Sequence, residues 1–294
     1  MTSATAGRTG GAVSFGTRLQ SAMRSRSALC VGIDPHVATL DAWGLSRDEA
    51  GLTEFGAVLV DAAAGRAAAV KPQVAFFEAA GSSGYRALET TIRRARDAGL
   101  LVIADAKRGD IGTTGDAYAA AWLDAGSPLA SDALTVSPYL GFGALAGTIR
   151  TARTNGAGLF VLGATSNPEG RSVQTALVQE GPRSGVSLAA GMVDDVADDN
   201  RRADGAGMGS LGLVLGATLD LTDFGITERA VATSPVLAPG FGAQGARIED
   251  LRTVFGGIAD QVLVNESRGL LGDGPAGVRR LVADRAERIA AALA

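Results

Sequence analysis

Asp105, Lys107 and Asp110 crowd into six residues, at the point where an apolar run beginning at Leu101 gives out. An acid and a base two residues apart on a strand share one face, and at the carboxyl end of a parallel strand they point into the crevice where α/β proteins hold ligands. A second lysine, Lys71, stands between Val70 and Pro72 at the end of another apolar run, a poor place for a solvated side chain. The formal charges of Lys71, Asp105, Lys107 and Asp110 sum to zero. If they alternate in space, each ammonium stays protonated and each carboxylate ionised, and an incoming anion would disturb that balance. A purely structural ion-pair cluster is the alternative at this point.

Other strand ends carry groups suited to a phosphorylated, hydroxyl-bearing ligand. Asp34 closes Gly32-Ile-Asp34-Pro-His36, where it could accept from sugar hydroxyls or form a turn before the proline. Ser166 lies in the polar loop Gly163-Ala-Thr-Ser-Asn-Pro-Glu-Gly170, which can hydrogen-bond a heterocycle. Pro239-Gly-Phe-Gly-Ala-Gln244-Gly245 is a turn that brings backbone N–H groups and the Gln244 amide close to oxygen atoms, and Arg268 adds a guanidinium after the last strand. His36 is the only histidine; it reads as a solvated loop residue, and a multi-histidine metal site is excluded. Cys30 is the only cysteine, with no internal partner, and reads as a buried small hydrophobe in a reducing, cytoplasmic setting.

Positioning these residues requires repeated strand ends. In 294 residues with 46% hydrophobic content, eight apolar runs qualify as strands: Ala28–Ile33, Ala69–Val74, Leu101–Ala104, Ala133–Val136, Gly158–Leu162, Gly212–Leu215, Val236–Ala238 and Gln261–Val264. Between them lie patterns with apolar positions at spacings of three and four, such as Glu54–Ala67, Tyr85–Asp97, Asp116–Leu123, Ala144–Thr154, Ile248–Phe255 and Gly277–Leu293. Eight βα units without a linker predict a single α/β domain, a (β/α)8 barrel over residues 15–294, ahead of an open doubly wound sheet. Its carboxyl-end mouth would gather every polar group named above.

Residues 1–14 read as a flexible tail. The long connection Arg171–Ser210 reads as irregular, with a helix expected over Ser187–Asp198 and an exposed loop over Asp199–Ser210. A net charge of -4 and a pI near 5.2 give no basic footprint for nucleic acid or an anionic membrane, and no apolar span has membrane length. A small-molecule partner is expected.

The constellation Asp105-x-Lys107-x-x-Asp110-Ile111, with Lys71 before it and Pro239-Gly-x-Gly-Ala-Gln244-Gly245 after it, resembles the orotidine 5'-phosphate decarboxylase family. The resemblance runs from Asp34 to Arg268, and Lys71-Pro-Gln-Val-Ala-Phe-Phe-Glu78 looks like the longer bacterial branch. It implies conversion of orotidine 5'-phosphate to uridine 5'-phosphate and carbon dioxide in pyrimidine biosynthesis, with no metal and no cofactor. Metal-dependent relatives acting on sugar phosphates share Asp-x-Lys-x-x-Asp but generally carry an acid where Lys71 stands, and a lysine there would repel magnesium. A magnesium-dependent lyase or aldolase, or a non-catalytic nucleotide-binding barrel, are the competing functions.

The same resemblance assigns Lys107 as the donor of a proton to C6 and Asp105 as the neighbour of the substrate carboxylate. Lys71 and Asp34 would hold ribose hydroxyls, Ser166 the pyrimidine, and Gln244, Gly245 and Arg268 the phosphate. Asp110 and Thr114 would cross a twofold interface into a neighbouring site, which implies a homodimer.

Overall fold

The computed structural model describes residues 13–205 and 207–294. Eight strands close into a parallel barrel in sequential order. They are β1 (Leu29–Ile33), β2 (Ala69–Pro72), β3 (Leu101–Arg108), β4 (Ala133–Val136), β5 (Gly158–Ala164), β6 (Leu211–Leu215), β7 (Val236–Pro239) and β8 (Val262–Glu266). All eight expected strands are present, and β8 pairs in parallel with β1 to complete the circle. The main departure is β3, which runs four residues past its expected end and carries Asp105 and Lys107 within the strand.

The apolar runs are continuous because both faces of each strand are buried. One face packs on surrounding helices, through residues such as Val31, Val70, Val102 and Leu134. The other fills the barrel with Cys30, Ala69, Ile103, Ala133, Phe160, Leu237 and Leu263. Helices cover the outside as expected, with the stripe Ala87, Leu88, Ile92 and Ala95 of Gly81–Asp97 buried on the core side.

The amino-terminal end of the barrel is closed by a helix that the sequence reading did not single out, Phe15–Ser25. Ser14 caps it by accepting from the Thr17 N–H, so this last residue of the expected tail is ordered; residues 1–12 lie outside the described residues. Phe15 and Leu19 are fully buried in the barrel interior, and Phe15 meets Phe160 edge to face at 5.9 Å. Full burial of one such ring contributes roughly 1.5–3 kcal/mol. An ion pair from Arg18 to Asp132 fastens the helix to the barrel base.

The connection after β5 corrects the sequence reading. A short helix, Pro168–Gln174, is followed by a helix that extends from Leu188 to Ala203. The expected exposed loop Asp199–Ser210 is therefore helical over Asp199–Ala203 and buried at Met208, Gly209 and Ser210, and is exposed at Gly205 and Gly207 between them. Asn200 is fully buried, where its amide donates to the Leu211 carbonyl (2.7 Å) and accepts from the Leu211 N–H (3.0 Å). The polar run Asp-Asp-Asn-Arg-Arg conceals a tertiary tie between this helix and β6.

Candidate active site

The ends of β1, β2 and β3 assemble a row of alternating charges. Lys71 Nζ lies 2.9 Å from Asp105 Oδ2 and 3.8 Å from Asp34 Oδ1. Lys107 Nζ lies 2.6 Å from the other Asp105 oxygen. The order in space is Asp34, Lys71, Asp105, Lys107. Asp34 thus takes the place in this chain's array that charge counting gave to Asp110. Gln73 supports the row from the start of the next helix, its Oε1 3.4 Å from Lys71 Nζ and its Nε2 donating to the Asp105 carbonyl at 3.3 Å.

Burial makes these charges interdependent. Lys71 is 4% exposed and Asp105 7%, too little for water to satisfy either. Burial pushes the Asp105 carboxyl up, but Lys71 and then Lys107 outweigh it and bring the pKa down to about 2. Burial likewise works against the Lys71 ammonium, yet Asp105 and Asp34 together hold its pKa above the ordinary lysine value. Cys30 sits in the layer below, and burial pushes its thiol up to about 12, so it stays protonated. It behaves as the small hydrophobe expected of it.

Lys107 differs from Lys71 in both backbone and exposure. Its φ of 49° is the one left-handed value at a non-glycine position among the described residues, a conformation that crowds a side-chain-bearing residue. Its side chain is 47% exposed, so the ammonium rests on Asp105 with one side open to the mouth.

The opposite side of the mouth is of another kind. The turn after β7 uses glycine in left-handed conformations at Gly240, Gly242 and Gly245. At Gly242 a Cβ would also come within 2.7 Å of Glu266 Oε1, whose carboxylate is fixed beneath the turn by Arg285. Gln244 and Gly245 are exposed, as is Arg268 just beyond β8. Since Pro239 of β7 pairs with Asn265 of β8, the two segments leave the barrel side by side.

Ser166 is exposed in the loop after β5, its backbone nitrogen close to Gly216 at the end of β6. Beside it, a cavity of about 320 Å³ is lined by Ser137, Leu162, Gly163, Asn167, Gln174 and Met192 among others. It adjoins the mouth but does not include the charged row. Asp110 and Thr114 are not bonded to the row in this chain: an Asp110 oxygen accepts from the Ile111 N–H at 2.8 Å, and Thr114 is exposed on the helix Gly112–Leu123. His36, expected to be solvated, is instead half-buried, its ring 4.2 Å from that of Phe76.

A residue that the sequence reading passed over belongs to the site. Thr135 of β4, 1% exposed, accepts from the Lys107 N–H at 2.9 Å and donates to Asp105 Oδ1 at 3.0 Å. The one signal for it was a hydroxyl inside an otherwise apolar strand.

A closed parallel barrel with a buried acid–base row at its carboxyl-end mouth defines a (β/α)8-barrel enzyme. Residues 27–278 match the family described as Orotidine 5'-phosphate decarboxylase / HUMPS family, and the chain belongs to it. It is 52% identical over 259 residues to an orotidine 5'-phosphate decarboxylase of a Nocardioides species, covering 88% of this chain and 92% of the relative. Its identity to the Streptomyces coelicolor orotidine 5'-phosphate decarboxylase is 51% over 264 residues, covering 89% and 91%. A crystal structure from Streptomyces avermitilis carrying the same activity assignment superposes with a TM-score of 0.89 at 48% identity, over 99% of both chains. The Leishmania donovani OMP decarboxylase structure gives 0.72 at 30% identity, over 95% of this chain and 98% of that one.

Proposed function

We propose that the chain decarboxylates orotidine 5'-phosphate to uridine 5'-phosphate and carbon dioxide, with neither metal nor cofactor. One observation carries the reading: an ionised, buried Asp105 held between two ammonium groups, one of them open to the mouth. On this reading Asp105 lies beside the substrate carboxylate. Two like charges at about 4 Å and an effective dielectric of about 20 repel by about 4 kcal/mol, and loss of neutral carbon dioxide relieves that repulsion. Electrons left on C6 meet the Lys107 ammonium, whose attraction grows as charge moves onto carbon and which then delivers the proton. A divalent cation is disfavoured here because the Lys71 ammonium already occupies the space beside Asp105.

On this reading Asp34 and Lys71 hold the ribose hydroxyls, Ser166 the pyrimidine, and Gln244, Gly245 and Arg268 the phosphate. The phosphate is remote from the reacting carbon, so its grip orders the base and excludes water. Residues 15–294 act as one catalytic domain, in the cytoplasm; no helix among the described residues is long and apolar enough to cross a membrane. Asp110 and Thr114, not bonded to their own row, serve a second copy in a homodimer. The exposed Ile111 and Tyr118 beside them supply apolar surface for that contact.

Chelator-treated protein incubated with orotidine 5'-phosphate should release carbon dioxide at the untreated rate. No release would refute the activity, and release restored only by magnesium would refute the metal-free route. Sedimentation should show a dimer, and a monomer at assay concentration would remove the assignment of Asp110 and Thr114.

A further inference from the structure

β3 and β4 fall out of step where the charged row begins. Ala104 pairs with Leu134, but the next registered pair is Arg108 with Val136, so Asp105, Ala106 and Lys107 together oppose the single residue Thr135. Such a bulge deprives the surplus residues of ladder partners. It falls where Lys107 adopts its left-handed backbone. An unpaired backbone N–H in this setting would be costly. Here the Thr135 hydroxyl stands in for the missing strand carbonyl, accepting from Lys107 N at 2.9 Å.

Both bonds of that hydroxyl have a fixed direction. A backbone N–H can only donate, so the hydroxyl accepts from Lys107. An ionised carboxylate can only accept, so the single hydroxyl proton goes to Asp105 Oδ1, 3.0 Å away. The same Oδ1 receives the Lys107 ammonium at 2.6 Å. Thr135, Asp105 and Lys107 therefore close a ring through the Lys107 backbone, the Thr135 side chain and the Lys107 side chain.

We propose that Thr135 is a positioning residue for the decarboxylation, holding the Lys107 backbone in its left-handed bulge and the Asp105 carboxylate beside the Lys107 ammonium. It touches no reacting atom and acts through those two residues. The inference rests on the proposed activity for its kinetic consequence but on strand geometry for its structural one. The titratable groups around Asp105 are Lys71 on β2, Lys107 on its own strand and Cys30 on β1, with Asp34, just past β1, on the far side of Lys71. Thr135 is the neutral donor among them, so its removal leaves the formal charge of the row unchanged.

The test compares Thr135→Val, which keeps the shape and removes the hydroxyl, with Thr135→Ser, which keeps the hydroxyl. Loss of one hydrogen bond to an ionised group predicts a fall in kcat of about 10- to 100-fold for Thr135→Val. KM should stay within about threefold, because no substrate contact is lost. The Asp105 carboxyl should titrate at higher pH, moving the acid limb of the kcat profile upward, while Thr135→Ser restores both rate and limb. Wild-type kcat with an unmoved acid limb in Thr135→Val, or a serine variant as slow as the valine one, would overturn the assignment. Should Thr135→Val fail to fold, Thr135→Ala replaces it, and equal rates for alanine and serine overturn the proposal in the same way. Were the wild type itself inactive, the activity would fall first; ¹³C NMR titration of the Asp105 carboxyl in wild type and Thr135→Val then decides, and an unshifted pKa refutes the role of Thr135.

Discussion

The two sides of the barrel mouth are built on opposite plans. At the ends of β2 and β3, Lys71, Asp105 and Lys107 are linked by bonds of 2.6–2.9 Å, and the first two are almost wholly buried. At the ends of β7 and β8, Gln244 and Arg268 are exposed, carried by a turn that needs glycine at three positions and by the residue just past the last strand. The first side is assembled before anything binds and has little freedom left to lose. The second is exposed and, on the proposed activity, is completed by its ligand. On the proposed activity this divides the labour: preorganised charge acts on the reacting carbon, where reorganisation would slow the step, and a yielding grip takes the remote phosphate, where ordering can be driven by binding.

The sharpest way to break this contrast is Lys107→Ala. Turnover should fall by at least about a thousandfold, since both proton delivery and carbanion stabilisation are lost, while calorimetry should find uridine 5'-phosphate still bound. Near wild-type carbon dioxide release would mean that the built side is not the reacting side. Arg268→Ala tests the other side. KM for orotidine 5'-phosphate should rise about 10- to 100-fold, the worth of hydrogen bonds to an ionised group, and the nucleoside lacking phosphate should be little affected. Equal losses for both ligands would argue against a phosphate grip.

A third test reads the built side through stability. The Asp105 pKa is depressed in the folded state, from 3.8 to about 2. It therefore contributes stability that is present above the unfolded value and is lost as pH falls through the folded one. The contribution is on the order of 2 kcal/mol. Urea unfolding at pH 5 and pH 2.5 should show it in the wild type, and the Asp105-dependent part should vanish in Asp105→Asn. The smallest effect is expected for Gln244→Ala, a rise in KM of about threefold to tenfold from one neutral donor, with kcat unchanged in steady-state assays.

Much of this division was legible in the sequence, for a physical reason. A charge inside an apolar run must be paired or point into a site, so Asp34, Lys71 and Asp105 announced themselves by their company. The strands were legible because burial on both faces leaves unbroken apolar runs. What escaped depends on register between strands far apart in sequence. Nothing local says that β3 bulges after Ala104, that Lys107 turns left-handed there, or that Thr135 lies opposite. The same holds for Asn200, whose polar neighbours suggested a loop and whose partners lie on β6 and around Thr233 and Ser234. The Phe15–Ser25 helix was missed because its apolar stripe is short and set among serine and arginine.

That helix also governs traffic. With Phe15 and Leu19 stoppering the amino-terminal end and the bore filled by side chains, the described residues leave the carboxyl-end mouth as the opening beside the charged row. On the proposed reaction, the gas released beside Asp105 meets no rear vent among the described residues and leaves past the nucleotide, through the doorway by which the nucleotide entered. Whatever closes that doorway to shut out water also detains carbon dioxide next to a fresh carbanion, so prompt protonation by Lys107 serves to make the departure irreversible.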